Sequence, residues 1–270
     1  MKFPCIHSLL ALAAGLAVSG CGGDAPPAAP SGSAGWARHP AVIEATGGAE
    51  VRTGAVTLDL PGVTQDGSSV PVSVSVDRDR AGGDSVEQIV LLALGNPSAE
   101  VAEFRIDPSE VEPRLSTRIR LDRTQTVVAL ARTGQGAWLG EAKEVRVTVS
   151  GCISRGTPAA EALMQARVRA TPPSRPGEAS EVRTLITHPM ETGLRRDRDG
   201  EIIPQRLLTS LHGELGDRTI LEARFHRAVA ANPYLLFSVT PREPGTLTLS
   251  WAEEGGATAR ETLTIGREGD

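Results

Sequence analysis

Cysteine is the residue type in this chain with the clearest capacity for chemistry, and there are three: Cys5, Cys21 and Cys152. Their surroundings separate their fates. Ile6 to Ser19 is small and apolar almost throughout, and Lys2 is the one charged residue among the first 20. An apolar core of this length reads as a signal peptide, because a spanning helix needs about 20 apolar residues. The core ends in Val18-Ser19-Gly20-Cys21, an aliphatic residue and two small ones before a cysteine, which is the pattern of a lipobox. On that reading Cys5 leaves with the signal, Cys21 becomes the lipidated N-terminus, and Cys152 is the one free thiol of the mature chain. The plainer reading is an ordinary secretory signal in which Cys21 follows Gly20 by chance. A single thiol cannot close an intramolecular disulfide. In an oxidising compartment it is an intermolecular partner or a reactive group, unless it is buried and inert.

The thiolate is the nucleophilic form, so a working cysteine needs exposure and gains from a nearby cation. Gly151 precedes Cys152, and Arg155 and Gly156 follow it. That setting suits exposure, and Arg155 favours the thiolate; an incidental cysteine in an interdomain linker has the same neighbours. No metal-binding His pair, Ser-His-Asp order, glycine-rich phosphate loop or supported carboxylate pair accompanies it. His188, Met190 and Glu191 lie close in sequence, but on a strand-to-loop turn whose spacing does not gather ligands. The expectation is therefore no metal, no cofactor and no catalytic residue of the chain's own. The formal net charge is −5, and there is no basic run or aromatic-basic interleaving, so nucleic acid is not an expected partner.

The elements that must position Cys152 are strands. Val70, Val72, Val74 and Val76 alternate with Pro71, Ser73, Ser75 and Asp77. Leu115–Leu121 and Val145–Val149 repeat the period of two, and shorter runs lie at Val56–Leu60, Val101–Ile106 and Thr126–Leu130. Ile89–Leu94 is apolar at every position and reads as a central strand. Turn clusters such as Pro61-Gly62, Gly82-Gly83 and Gly95-Asn96-Pro97 separate these runs. The period breaks from Gly151 to Thr157, and Pro158–Gln165 could hold one or two helical turns. A second set of strands is predicted at Ala166–Ala170, Val182–Thr187, Thr219–Phe225, Leu235–Thr240, Thr246–Trp251 and Thr258–Ile265. Ala37–Ala45 and Ile203–His212 are the modest helix candidates. Only eight aromatic residues exist in 270, so Trp138, Tyr234, Phe237 and Trp251 are read as core. The fold class is all-β, with two immunoglobulin-like antiparallel β-sandwich domains.

Several stretches then resemble a known pair of families. Val56-Thr57-Leu58-Asp59-Leu60-Pro61, Val70–Asp77, the Gly95-Asn96-Pro97 turn, Ser116–Arg120 and Lys143–Val149 leading into Gly151-Cys152 are similar to SoxY, the sulfur-carrying subunit of the periplasmic thiosulfate-oxidising system. His188-Pro189-Met190-Glu191-Thr192-Gly193, followed by Arg196, Asp197, Asp199, Gly200, Ile203 and Pro204, resembles SoxZ, the partner that binds SoxY; Ala231-Asn232-Pro233-Tyr234 and the Trp251 strand extend the match. Together they resemble a SoxY–SoxZ fusion of the kind associated with quinoprotein dehydrogenases. The resemblance implies a carrier, not an enzyme, with Cys152 as the covalent carrier residue and Gly151 as its flanking arm. In SoxY the cysteine sits in a glycine-rich arm at the C-terminus. Here Ile153, Ser154 and Arg155 follow it, and the chain runs on into the second domain.

The expected organisation is a signal peptide over 1–20, a tether over 21–35 behind lipidated Cys21, a SoxY-like sandwich over 36–150, a linker over 151–165 bearing the cysteine, and a SoxZ-like sandwich over 166–270. Residues 22–35 are Gly, Ala, Pro and Ser with one charge, Asp24, too little apolar surface to fold. The linker spans up to ~50 Å if extended, which permits contact between the domains. Expected partners are periplasmic redox or sulfur-oxidising enzymes, the other domain of the same chain, and a membrane through the lipid anchor. The alternative is a lipid-anchored adaptor for a periplasmic dehydrogenase, with no covalent cargo.

Overall fold

A computed structural model describes residues 33–148, 163–171 and 178–266. Two short helices open it, α1 (Ser33–Trp36) and α2 (Pro40–Thr46). Pro40 suits the first turn of α2, His39 caps it by accepting from the Ala41 N–H at 3.3 Å, and Gly47 ends it with φ 64°. The first set of strands is β1 (Val51–Arg52), β2 (Val56–Asp59), β3 (Val63–Thr64), β4 (Val70–Val76), β5 (Val86–Ala93), β6 (Glu100–Ile106), β7 (Val111–Ile119), β8 (Gln125–Thr133) and β9 (Trp138–Val147). The second set is β10 (Ala166–Thr171), β11 (Ser180–Ile186), β12 (Leu208–Leu215), β13 (Arg218–Phe225), β14 (Tyr234–Val239), β15 (Gly245–Glu253) and β16 (Thr258–Ile265). The protein is all-β and its sheets form sandwiches, as the alternation requires.

Period two works as expected where one face is wet. In β4 the four valines are buried while Pro71, Ser73 and Ser75 face outward. In β5, Ile89, Leu91 and Ala93 enter the main core. Val90 and Leu92 turn to the other face, where they join Trp36, Val42, Val128, Leu130 and Trp138 beneath the N-terminal helices. The continuous apolar run thus reflects a strand covered on both sides. Gly140 makes room for that cover: a Cβ there would stand 2.7 Å from Val51 Cγ1 and 2.8 Å from Trp36 Cη2.

The two halves share their sheets. One sheet runs β1-β9-β8-β5-β6-β13-β12-β15-β16, with β3 alongside β9, and the other runs β10-β11-β14-β7-β4-β2. The halves meet where β6 pairs with β13, Ala102–Ile106 against Leu221–Phe225, and where β7 pairs with β14. Phe104 and Phe225 pack edge to face across the first seam, centroids 6.4 Å apart. A single cluster of buried side chains continues from Leu58 and Val72 to Trp251 and Ile265.

One expectation needs correction. Ile203–His212 is not a helix: its C-terminal part is strand β12. Leu208, Leu211 and Leu215 are all buried at a spacing that imitates a helical face. Pairing with β15 shifts register between Leu208 and Ser210, so both Leu208 and Leu211 reach the core without strict alternation. Within the expected helical turns at Pro158–Gln165, residues 158–162 lie outside the described residues, and Leu163 and Met164 form a turn.

Candidate functional site

Cys152 and its neighbour Gly151 lie outside the described residues, and so does Cys21. What the structure places are the two roots of the segment that carries Cys152. On the upstream side the β9 terminus is held by the β7–β8 turn and by β3: the Val147 N–H donates to Thr124 Oγ1 at 3.1 Å, and the Thr148 N–H to the Thr64 carbonyl at 3.1 Å. On the downstream side the Met164 N–H donates to the Thr187 carbonyl at 2.9 Å, and the Thr187 N–H to the Gln165 carbonyl at 3.0 Å. The first root belongs to one sheet and the second to the other. Four residues of chain span at most about 14 Å, so the β9 terminus is the described surface nearest Cys152 along the chain.

The Gly95-Asn96-Pro97 turn braces this pole. Asn96 donates from Nδ2 to the Arg120 carbonyl at 2.9 Å, and its Oδ1 accepts from the Asp122 N–H at 3.1 Å and Gln125 Nε2 at 2.7 Å. Gly95 is required there, because a Cβ would fall 2.7 Å from the Gln125 Cβ. Arg120 itself is buried. Its guanidinium donates to the carbonyls of Met190 at 2.5 Å and Pro189 at 3.0 Å, both in the motif of the second half. Asn96, Pro97 and Asp122 on one side and Thr192, Leu194 and Arg227 on the other border a small cleft of about 90 Å³ at this junction.

The His188 motif is a structural knot. The His188 N–H donates to Asn232 Oδ1 at 3.1 Å, and the Asn232 N–H returns to the His188 carbonyl at 2.7 Å. His188 Nδ1 accepts from the Met190 N–H at 3.1 Å, which leaves the ring proton on Nε2. Nε2 faces Glu253 Oε2 at 3.3 Å, within ion-pair distance but outside good hydrogen-bond geometry. Glu253 in turn accepts both prongs of Arg206, at 2.8 and 3.0 Å. Burial pushes the His188 pKa down, and this outweighs the opposing pull of Glu253, so the ring is neutral near pH 7. For Glu253 burial is the largest single influence and opposes ionisation. Arg206 and His188 together still hold its carboxyl below the usual range. Met190 Sδ accepts from the Leu208 N–H, and Glu191 pairs with Arg195 at 2.7 Å. His188, Met190 and Glu191 therefore point to three different partners.

A second clasp joins the halves at the far end of the seam. Glu110, fully buried, meets Arg218 at 2.6 Å and accepts from the Arg242 N–H at 3.3 Å. Sequence reasoning missed Arg120, Glu110, Arg206 and Glu253. Alternation put Arg120 on the wet face with Ser116 and Arg118. It is buried because it lies past the end of β7 at Ile119, where the Pro189-Met190 stretch of the other half receives its guanidinium. Trp138, Phe237 and Trp251 are buried as expected, whereas Tyr234 is half-buried with Arg118 over its ring.

A family model described as sulfur oxidation protein SoxY matches residues 43–152, and one described as sulphur oxidation protein SoxZ matches residues 168–264. No curated protein matches the chain. Among solved structures, a superoxide reductase (neelaredoxin) from Ignicoccus hospitalis is 16% identical, with 36% of this chain and 94% of that one covered and a TM-score of 0.31. A variant of the same protein is 20% identical over 40% of this chain and 91% of that one, with a TM-score of 0.30. Likeness at that score carries no inference about function.

Proposed function

The chain is a fused SoxY–SoxZ-like protein of the sulfur-oxidation carriers, and from that premise we propose that it holds a sulfur-containing intermediate covalently on Cys152 and presents it to partner enzymes. The proposal includes its setting. Residues 1–20 direct export to the periplasm, Cys21 carries the lipid anchor, and 21–35 tether a SoxY-like domain over 36–150 and a SoxZ-like domain over 166–270. The chain carries rather than catalyses, and its partners are periplasmic redox or sulfur-oxidising enzymes, including those of quinoprotein dehydrogenase-associated pathways.

One observation supports the reading above the rest: the SoxY match runs through residue 152 and ends on the one cysteine that follows the signal and lipobox. Loading joins Cys152 Sγ to the terminal sulfur of thiosulfate as an S-thiosulfonate: the thiol loses its proton, the thiosulfate S–S bond stays intact, and two electrons pass to a partner redox enzyme. Unloading by thiolate exchange breaks that bond, returns Cys152 as a thiolate and passes the cargo sulfur to the incoming thiol with no net electron change. Gly151, ahead of the cysteine, serves as its flanking arm.

The adaptor reading keeps one observation in its favour. The segment bearing Cys152 is rooted at Thr148 and again at Met164 rather than ending free, which restricts what can enter a partner's pocket. Replacing Cys152 with serine separates the two. In sulfur-dependent turnover with the partner enzymes, Cys152→Ser abolishes activity if the residue is the carrier; full activity in that variant leaves the adaptor. Mass analysis of the mature N-terminus tests the anchor, with diacylglycerol on Cys21 expected and an unmodified N-terminus elsewhere contradicting it.

A further inference from the structure

The outer face of the six-stranded sheet carries an arrangement that fold stability does not explain. Arg169 on β10 stands directly opposite Arg183 on β11, and Arg183 opposite Leu236 on β14. One row along, Arg167 stands opposite Leu185, and Leu185 opposite Tyr234. Arg118 on β7 completes the row, its Cζ 5.2 Å from the centre of the Tyr234 ring. Four exposed guanidiniums thus surround Leu185, Tyr234 and Leu236, all three partly open to solvent. Arg183 pairs with Glu181 on its own strand, while Arg167 and Arg169 make no hydrogen bond or ion pair among the described residues.

Like charges directly opposite on neighbouring strands destabilise a sheet. Basic residues on β10 would protect an exposed sheet edge from mispairing. That purpose does not account for Arg118 and Arg183 on interior strands, nor for Arg169 set against Arg183. Arginine and tyrosine around an apolar centre are instead the composition of a protein interface core. The opposite sheet has its outer face covered over β5, β8 and β9 by the N-terminal helices, whereas no described element covers this one. The charge here also runs against a chain of net −5.

We propose that the outer face of β10, β11, β14 and β7 is the docking surface for an acidic patch on a partner protein. The inference rests on the carrier reading, because β10 begins directly after the downstream root of the Cys152 segment, so a partner docked here lies beside that root. The occupant is protein rather than anionic lipid. Glu181, Glu112 and Asp59 share this face. A planar, uniformly negative membrane is set against all three at once, whereas a narrow acidic segment of a protein lies along the two arginine rows and clears them.

The test uses the full chain with fluorescent poly-L-glutamate as the acidic probe, read by anisotropy and mapped by hydrogen–deuterium exchange. Binding is expected at low salt, with slowed exchange in β7, β10, β11 and β14, and is lost near 1 M salt, where the Debye length falls to about 3 Å. Arg169→Glu weakens binding more than about tenfold and raises Tm by about 1–3 °C, since it turns a like-charge pair into an opposite-charge pair. Weaker binding in a more stable protein cannot be misfolding. No binding, protection elsewhere, or unchanged affinity in Arg169→Glu overturns the proposal. So does protection of this face by vesicles of equimolar phosphatidylglycerol and phosphatidylcholine but not by poly-L-glutamate. Cys152→Ser binds the probe like the native chain, so failure here leaves the chemistry of Cys152 untouched, and failure there leaves docking untouched.

Discussion

At the scale of single residues, His188 shows how a group that looks functional is committed to structure. Its Nδ1 caps the Met190 amide, and its buried Nε2–H faces Glu253. Burial lowers its pKa below the ordinary 6.5, so between its folded value and 6.5 the unfolded chain binds more protons. Stability rises with pH wherever the unfolded state holds the extra protons, and so it falls on acidification through that window. Glu253, held below its ordinary 4.5, has the same sign: its contribution is present above 4.5 and is lost as pH falls through the folded value. Urea unfolding at a series of pH values therefore loses stability progressively below about pH 6.5. In His188→Asn, whose side-chain carbonyl can still accept from Met190, the upper part of that slope flattens; an unchanged slope contradicts the assignment. The His188-Pro189-Met190 stretch was legible in the sequence as a motif, but its role was not. Glu253, Arg206 and Arg120 act on it from distant parts of the chain, and no local spacing joins them.

At the scale of elements, legibility followed solvation. β4 and β7 show clean alternation because one face is wet; β4 was read from its valines and serines, and β7 from Leu115 to Ile119, whereas its first four residues, from Val111, were not read. β12 was not, since a register shift lets Leu208 and Leu211 both turn inward and mimic a helical stripe. β5 lost its alternation for another reason: α1 and α2 bury its second face. That cover depends on Gly140. A methyl group there enters the space of Trp36 and Val51 in a packed site, where overpacking costs about 1–3 kcal/mol. Gly140→Ala is thus expected to lose that much stability in denaturant titrations and to expose Trp36, seen as red-shifted emission. A variant with native stability would show that the helices rest loosely on the sheet.

At the scale of the molecule, two families' worth of sequence form shared sheets. The strand runs of each half were readable separately, but the seam was not. β6 with β13 and β7 with β14 are pairings between distant segments, and Glu110 with Arg218 is a long-range contact that no periodicity encodes. With Gly32–Asp270 as one compact unit and the core continuous across the seam, thermal unfolding is expected as a single transition with equal calorimetric and van't Hoff enthalpies. Two separated transitions would show that the halves are independent. The same architecture fixes both roots of the segment that bears Cys152, one on each sheet. The most direct test of Cys152 as a carrier is the mass of the Cys152 peptide from native protein isolated without reductant, compared before and after dithiothreitol. A sulfur-containing mass on Cys152 that dithiothreitol removes is expected. An unmodified Cys152 under every growth condition that demands sulfur oxidation would contradict it.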